Sequence, residues 1–159
     1  MNPGYPFNVR VYGLLLDATE AFVLLAEEIV NGDRVTKFPG GGLRFGEGPE
    51  DCLIREFQEE VGIRPRIGPH FYTTGFFQPS AFRPDEQVIS IYYELRSPEL
   101  IPPTLLIREG DPLPDQEGIE RFRWKTCKEI DAEDLSLPID REVGRRLRER
   151  FNRPNSNPH

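Results

Sequence analysis

Cysteine is scarce: only Cys52 and Cys127 occur among the 159 residues. Two are too few for a disulfide framework, or for a zinc site made with cysteine. With no secretory signature beside them they read as reduced thiols. Long apolar runs are missing too. Met1 to Pro6 has neither a basic nor an apolar segment, and Gly13 to Leu16 is far short of the roughly 20 residues a membrane helix needs. A soluble, cytoplasmic protein is expected, with no membrane partner. Basic charge is in deficit, 20 Lys and Arg against 27 Asp and Glu, for a formal net charge of -7. That argues against a nucleic-acid polymer as partner, because such affinity comes from cationic side chains releasing phosphate counterions. Small anions stay open, since a bound divalent metal reverses the sign of a local site. No repeat or low-complexity tract interrupts the chain. Its 37 % hydrophobic content suffices for a core. The length suits one domain, read as residues 1–151 with a flexible tail at 152–159.

Along the chain, Val9, Val11, Gly13 and Leu15 alternate with Arg10, Tyr12, Leu14 and Leu16, as in a strand with one face more buried than the other. Ala21 to Val30 forms a second apolar run, closed by the hairpin signal Asn31-Gly32. Arg34 to Phe38 leads into the glycine run Gly40 to Gly42, read as a turn. From Pro49 to Val61 the period becomes helical, with Leu53, Ile54, Phe57 and Val61 as the apolar stripe and Gly62 as the stop. Strands are predicted at Phe71–Phe77, Val88–Leu95 and around Phe122 and Trp124, with a loop at Pro79–Glu86. Pro98–Glu117 is an irregular excursion in which Thr104–Ile107 could pair. Pro138–Phe151 reads as an Arg-rich helix. The pattern is an α/β (α+β) domain, a sheet with helices packed on its faces.

The first helix breaks local rules. On a wheel turning about 100° per residue, Glu56, Glu59 and Glu60 share an arc of about 100° that borders the apolar stripe. Glu56 and Glu60 are like charges at i,i+4, which costs roughly 0.2–0.5 kcal/mol. Glu59 and Glu60 also sit at the negative end of the helix. Taken alone, this describes a solvated acidic face. It also describes a site for a divalent cation, which would turn each penalty into a gain, and Mg²⁺ takes oxygen ligands of this kind.

The surrounding residues sharpen the choice. Gly41-Gly42-Leu43-Arg44-Phe45-Gly46-Glu47, seven residues, then Arg55-Glu56-Phe57-Gln58-Glu59-Glu60-Val61-Gly62-Ile63 resembles the signature of Nudix hydrolases. Gly41, Glu47, Arg55, Glu56, Glu59, Glu60 and Gly62 match its fixed positions, and Phe57 and Ile63 its apolar ones. Phe57 is bulkier than the usual aliphatic residue, and Arg44 stands where many members have Glu.

The resemblance implies an α/β/α sandwich, a mixed sheet with helices on both faces. It implies hydrolysis of a nucleoside diphosphate linked to another moiety, with Mg²⁺ or Mn²⁺. Glu56, Glu59 and Glu60, with the carbonyl of Gly40 or Gly41, would hold metal or metal-bound water. Arg55 and Glu47 would orient them. The general base varies among members; Glu117 is the first candidate, then Glu120 and Glu86. Pro79 follows Ile63 after fifteen residues, as in ADP-ribose pyrophosphatases. Glu47, Phe77, Pro79 and Phe82 are therefore candidate substrate contacts, for an ADP-ribose-like or nucleoside triphosphate substrate. A small-molecule nucleotide is the expected partner, with a homodimer left open. The Ser-Gln-Pro-Trp-type motif and zinc-binding cysteines of NADH pyrophosphatases are missing, and His70 and Cys52 read as structural. The alternative is a Nudix-fold module that binds a nucleotide without cleaving it.

Overall fold

The computed structural model describes residues 4–154. Asn152 closes the last helix, and most of the expected tail, residues 155–159, lies outside the described part.

The first strand, β1 (Phe7–Leu15), is central. It pairs in parallel with β6 (Gln87–Arg96) and antiparallel with the short β4 (Gly40–Gly42). With β5 (Arg66–Thr73) on the far side, these make a mixed sheet of order β4-β1-β6-β5. A second, antiparallel sheet has the order β3-β2-β7, from Asp33–Lys37, Phe22–Val30 and Arg121–Thr126. The expected single sheet is thus two, with a Leu16–Val23 bridge linking β1 to β2.

Alternation along β1 and β2 distributes the core. Val11 and Leu15, with Leu24 and Ala26, pack on the first helix beside Leu53, Phe57 and Val61. Tyr12, Leu14 and Leu16, with Val23 and Leu25, pack on the last helix beside Ile139, Val143 and Leu147. Both faces of β1 are therefore buried from Val11 onward, where the sequence suggested one face more buried than the other. Parallel pairing with β6 explains this, because a strand between two helical layers has no solvent side.

The helix from Pro49 is α1 (Pro49–Glu56), and it continues as a π turn over Phe57–Val61. The Phe57 carbonyl accepts from the Gly62 amide at 2.8 Å, an i→i+5 bond, and Gly62 ends the turn at φ 78°. Helix α2 covers Pro138–Asn152.

Three other readings shift. Gly40 to Gly42 forms strand β4 and not a free turn. A Cβ at Gly40 would come 2.1 Å from the Val11 carbonyl oxygen, so only glycine lets the two backbones approach this closely. The strand expected at Phe71–Phe77 runs from Arg66 to Thr73, absorbing Gly68-Pro69 through register shifts against β6. Thr104–Ile107 holds one bridge, Leu106 to Phe122, beside a 3₁₀ turn at Pro103–Leu105.

The bulk of Phe57 has a matching vacancy. A Cβ at Gly13 would lie 2.8 Å from the Phe57 ring and 2.3 Å from Leu95 Cδ1. Gly13→Ala is expected to cost about 1–3 kcal/mol through overpacking. Urea unfolding measures this, and an unchanged midpoint would refute the packing account.

Candidate active site

Two elements from the 23-residue box meet at Gly41 and Glu56. A Cβ at Gly41 would stand 2.3 Å from Glu56 Oε1, so the carboxylate rests directly on the β4 backbone. Arg55 organises the rest. Its Nε and Nη2 donate to the two oxygens of Glu47 at 3.0 and 2.7 Å, a bidentate pair that ties the loop to the helix. Its Nη1 donates to Glu56 Oε1 at 2.8 Å and reaches Glu59 at 3.5 Å, while Nη2 also donates to the Gly42 carbonyl at 3.1 Å. The guanidinium holds the Glu47 carboxyl down at about 2. Glu47 is thus a partner of Arg55, whereas the sequence reading also placed it among substrate contacts.

The π turn separates the two neighbouring acids. Glu59 is exposed on the rim, and Glu60 is half-buried beneath it. Glu120, immediately before β7, comes from 60 residues further along to lie against Glu60. Glu60 Oε2 and Glu120 Oε1 are buried without any hydrogen-bond donor. Burial first, then the charges of Glu120 and Glu56, raise the proton affinity of Glu60. Burial likewise raises that of Glu120, opposed by Lys37. An orphaned buried carboxylate oxygen costs about 1–3 kcal/mol, more when charged.

Among the described residues, no three His, Cys, Asp or Glu side chains converge as a preformed metal cage. Arg55 draws Glu56 to itself instead. The donor set still fits a hard divalent cation: all oxygen, with two oxygens lacking any other partner and a glycine backbone alongside.

The other candidates disperse. Glu117 is exposed, and its Oε1 accepts from the Gly32 amide at 3.0 Å in the β2–β3 hairpin. It stabilises a turn, and of the two later-loop acids it is Glu120 that joins the cluster. Glu86 accepts from Asn8 Nδ2 at 3.0 Å, away from the box acids. Pro79 and Phe82 line a cavity of about 250 Å³ between β1, β3, β6 and the start of α2. Phe77 does not, and is 72 % exposed. His70 is exposed and shares a 2.7 Å contact with Thr73. Cys52 is buried below β4, and burial pushes its thiol up to about 12.

Sequence reasoning passed over two residues that the fold brings between the cavity and the carboxylates. Arg10 and Lys37 line that cavity. Lys37 Nζ pairs with Glu28 at 2.7 Å and its charge acts on Glu60 and Glu120. Arg10 had been read only as one position of an alternating strand and Lys37 only as part of the extended piece Arg34–Phe38, and no local signal set them apart.

No helix among the described residues is long and apolar enough to cross a membrane. The NUDIX domain family profile matches residues 6–147. Over 53 residues the chain is 45 % identical to an RNA pyrophosphohydrolase of Acinetobacter baylyi, covering 33 % of this chain and 31 % of that protein. Over 30 residues it is 57 % identical to the 8-oxo-dGTP diphosphatase of Escherichia coli, covering 19 % and 23 %. The matches thus span about a third or less of these curated relatives. In three dimensions the chain is similar to a NUDIX hydrolase from Nitrosomonas europaea, with TM-score 0.65, 20 % identity and coverage of 93 % and 91 %. It is equally similar to the MutT protein of Methanosarcina mazei Go1, with TM-score 0.65, 18 % identity and coverage of 93 % and 97 %. With the family profile spanning residues 6–147, nearly all of the described residues, the chain belongs to the NUDIX domain family.

Proposed function

We propose that the protein is a divalent-metal-dependent pyrophosphohydrolase acting on a nucleoside diphosphate linked to another moiety. The observation that carries this reading is the pair of donorless buried oxygens on Glu60 and Glu120, next to the Glu56 carboxylate on Gly41. Glu56, Glu60 and the rim residue Glu59 would hold Mg²⁺ or Mn²⁺, with the Gly41 carbonyl alongside. Such an ion supplies Lewis-acid polarisation of the phosphoryl oxygens and lowers the pKa of bound water.

The chain's own residues do the remainder. Arg55 fixes the rotamer of Glu56, and Glu47 fixes Arg55 through both of its oxygens. Glu120 accepts the proton of the attacking water. Its burial supports this role, because a base works best with its proton affinity near the operating pH. Two free buried thiols support a reducing compartment such as the cytoplasm.

A panel of dinucleotides, nucleoside triphosphates and sugar nucleotides with Mg²⁺ and Mn²⁺ tests the activity. Release of a nucleotide product that EDTA abolishes is expected. Binding without turnover across the panel would instead establish a nucleotide-binding module. Within the active panel member, Glu120→Gln is expected to lower kcat by about 10²-fold or more. Glu117→Gln should stay within about threefold, a barrier change below roughly 0.7 kcal/mol. The reverse ranking would return the base to the hairpin side.

A further inference from the structure

Arg10 on β1 is held by one bond only. Its Nε donates to the Tyr12 hydroxyl at 2.7 Å, and among the described residues nothing accepts from Nη1 or Nη2. The side chain lines the 250 Å³ cavity. Its Nη1 reaches toward β4, 3.7 Å from where a Cβ on Gly42 would lie. The cavity therefore begins beside the strand that carries Gly41, on which the Glu56 carboxylate rests.

The walls restrict what can enter. Tyr12, Tyr92, Val88 and Phe82 offer flat or apolar surface. Two carboxylates share the lining, Glu28 and Asp140. Asp140 is spent, since it accepts from the Tyr92 hydroxyl and the Phe38 amide. Glu28 is tied to Lys37 through Oε1, and its other oxygen is unpaired among the described residues. Glu28 and Asp140 offset the charges of Lys37 and Arg10, so the space has no surplus positive charge to hold a phosphate. A free guanidinium fork and a free carboxylate oxygen in an aromatic slot match a base with adjacent acceptors on one edge and N–H donors on the next. Guanine has both, with O6 and N7 acceptors for an arginine fork. Adenine presents an amino donor where guanine has O6, which a guanidinium cannot accept. The volume, slightly below the about 300–1,000 Å³ of drug-sized pockets, suits one base better than a dinucleotide.

We infer that the cavity selects guanine nucleotides and that Arg10 is the specificity-determining residue. This rests on reading the adjacent carboxylates as the diphosphate site, but it is read out separately from hydrolysis. NMR titrations of the full chain with GMP and with AMP, in EDTA, measure base preference without turnover. GMP is expected to bind about tenfold more tightly than AMP. Arg10→Gln and Arg10→Lys should both bring GMP to the AMP level, because lysine keeps the charge and loses the fork. Equal affinities in the unaltered protein, no binding of either nucleotide, or a guanine preference that persists in Arg10→Gln would overturn the inference. The unaltered protein alone decides if a variant misfolds. Turnover of the substrate panel without base preference would sink this inference and spare the hydrolase reading. A GMP preference with no turnover of any substrate would support it and sink hydrolysis.

Discussion

Gly41→Ala is expected to lower kcat/KM by about 10²-fold while leaving the unfolding midpoint nearly unchanged. The Cβ would stand 2.3 Å from Glu56 Oε1 and 2.4 Å from its Cδ, so contact of this kind cannot persist. What gives way is the far end of a flexible side chain, not backbone, and the stability cost is correspondingly small. The carboxylate must swing off β4, and the 2.8 Å bond from Arg55 Nη1 goes with it. A displacement of about 1 Å at a reacting centre is enough for a 10²-fold loss. Steady-state kinetics beside a thermal melt provides the check. Unimpaired turnover would mean that Glu56 on the Gly41 backbone has no part in the chemistry, whereas a large loss of stability would mean that the strand, not the side chain, had moved.

The second large effect lies beneath the cavity. Asp140 is 1 % exposed and serves two buried donors, the Tyr92 hydroxyl and the Phe38 amide. Burial pushes its carboxyl up to about 6 against these hydrogen bonds. Its folded pKa lies above its unfolded value, so the folded state binds the proton more tightly between those two values. Asp140 therefore contributes most to stability below about pH 4, and that contribution is lost as pH rises to 6. The interval of about two pKa units corresponds to roughly 3 kcal/mol. Asparagine keeps an acceptor for the Phe38 amide and can donate to the Tyr92 oxygen, with no charge to bury. The stability of Asp140→Asn relative to the unaltered protein should thus rise by roughly 2.5 kcal/mol between pH 4 and pH 7, most of that total. Urea unfolding at both pH values gives this difference, with other carboxylates cancelling. A pH-independent difference would show that Asp140 stays ionised throughout. Asp140→Ala leaves both donors buried and unpaired, and is expected to destabilise by about 2–6 kcal/mol at any pH.

These two residues differ in how far the chain alone announced them. Gly41 and Glu56 belong to a contiguous box whose parts meet through one turn and one helix, so linear spacing carries their geometry. Asp140 has no such signal. It opens a helix, where an acid is ordinary, and only the packing of α2 over β6 makes it a buried acceptor for Tyr92. Glu117 and Glu120 are three residues apart in one loop. Which of them reaches the box depends on where β7 enters its pairing with β2, a register that local sequence does not encode.

The wheel set Glu56, Glu59 and Glu60 together at the border of the apolar stripe, whereas Glu56 and Glu60 are half-buried and Glu59 is exposed. It could not divide Glu59 from Glu60, because the π turn begins at Phe57 and changes the angular step. Similarly, Pro79 and Phe82 line the cavity, yet Phe77 in the same stretch faces solvent. The period-2 pattern of β1 separated its two faces, while the parallel partner β6 determined that both are inward.

The sequence by itself determined the family, the carboxylate-bearing helix and the two-sided α/β class. All of these rest on contacts within a few turns of chain or on simple periodicity. Only the tertiary structure decided that Glu120 lies against Glu60 and that Arg10, Glu28 and Tyr92 wall one cavity. Those groupings join residues many tens of positions apart. They exist because strand pairing and core packing bring them together, and neither is written in the spacing of any one segment.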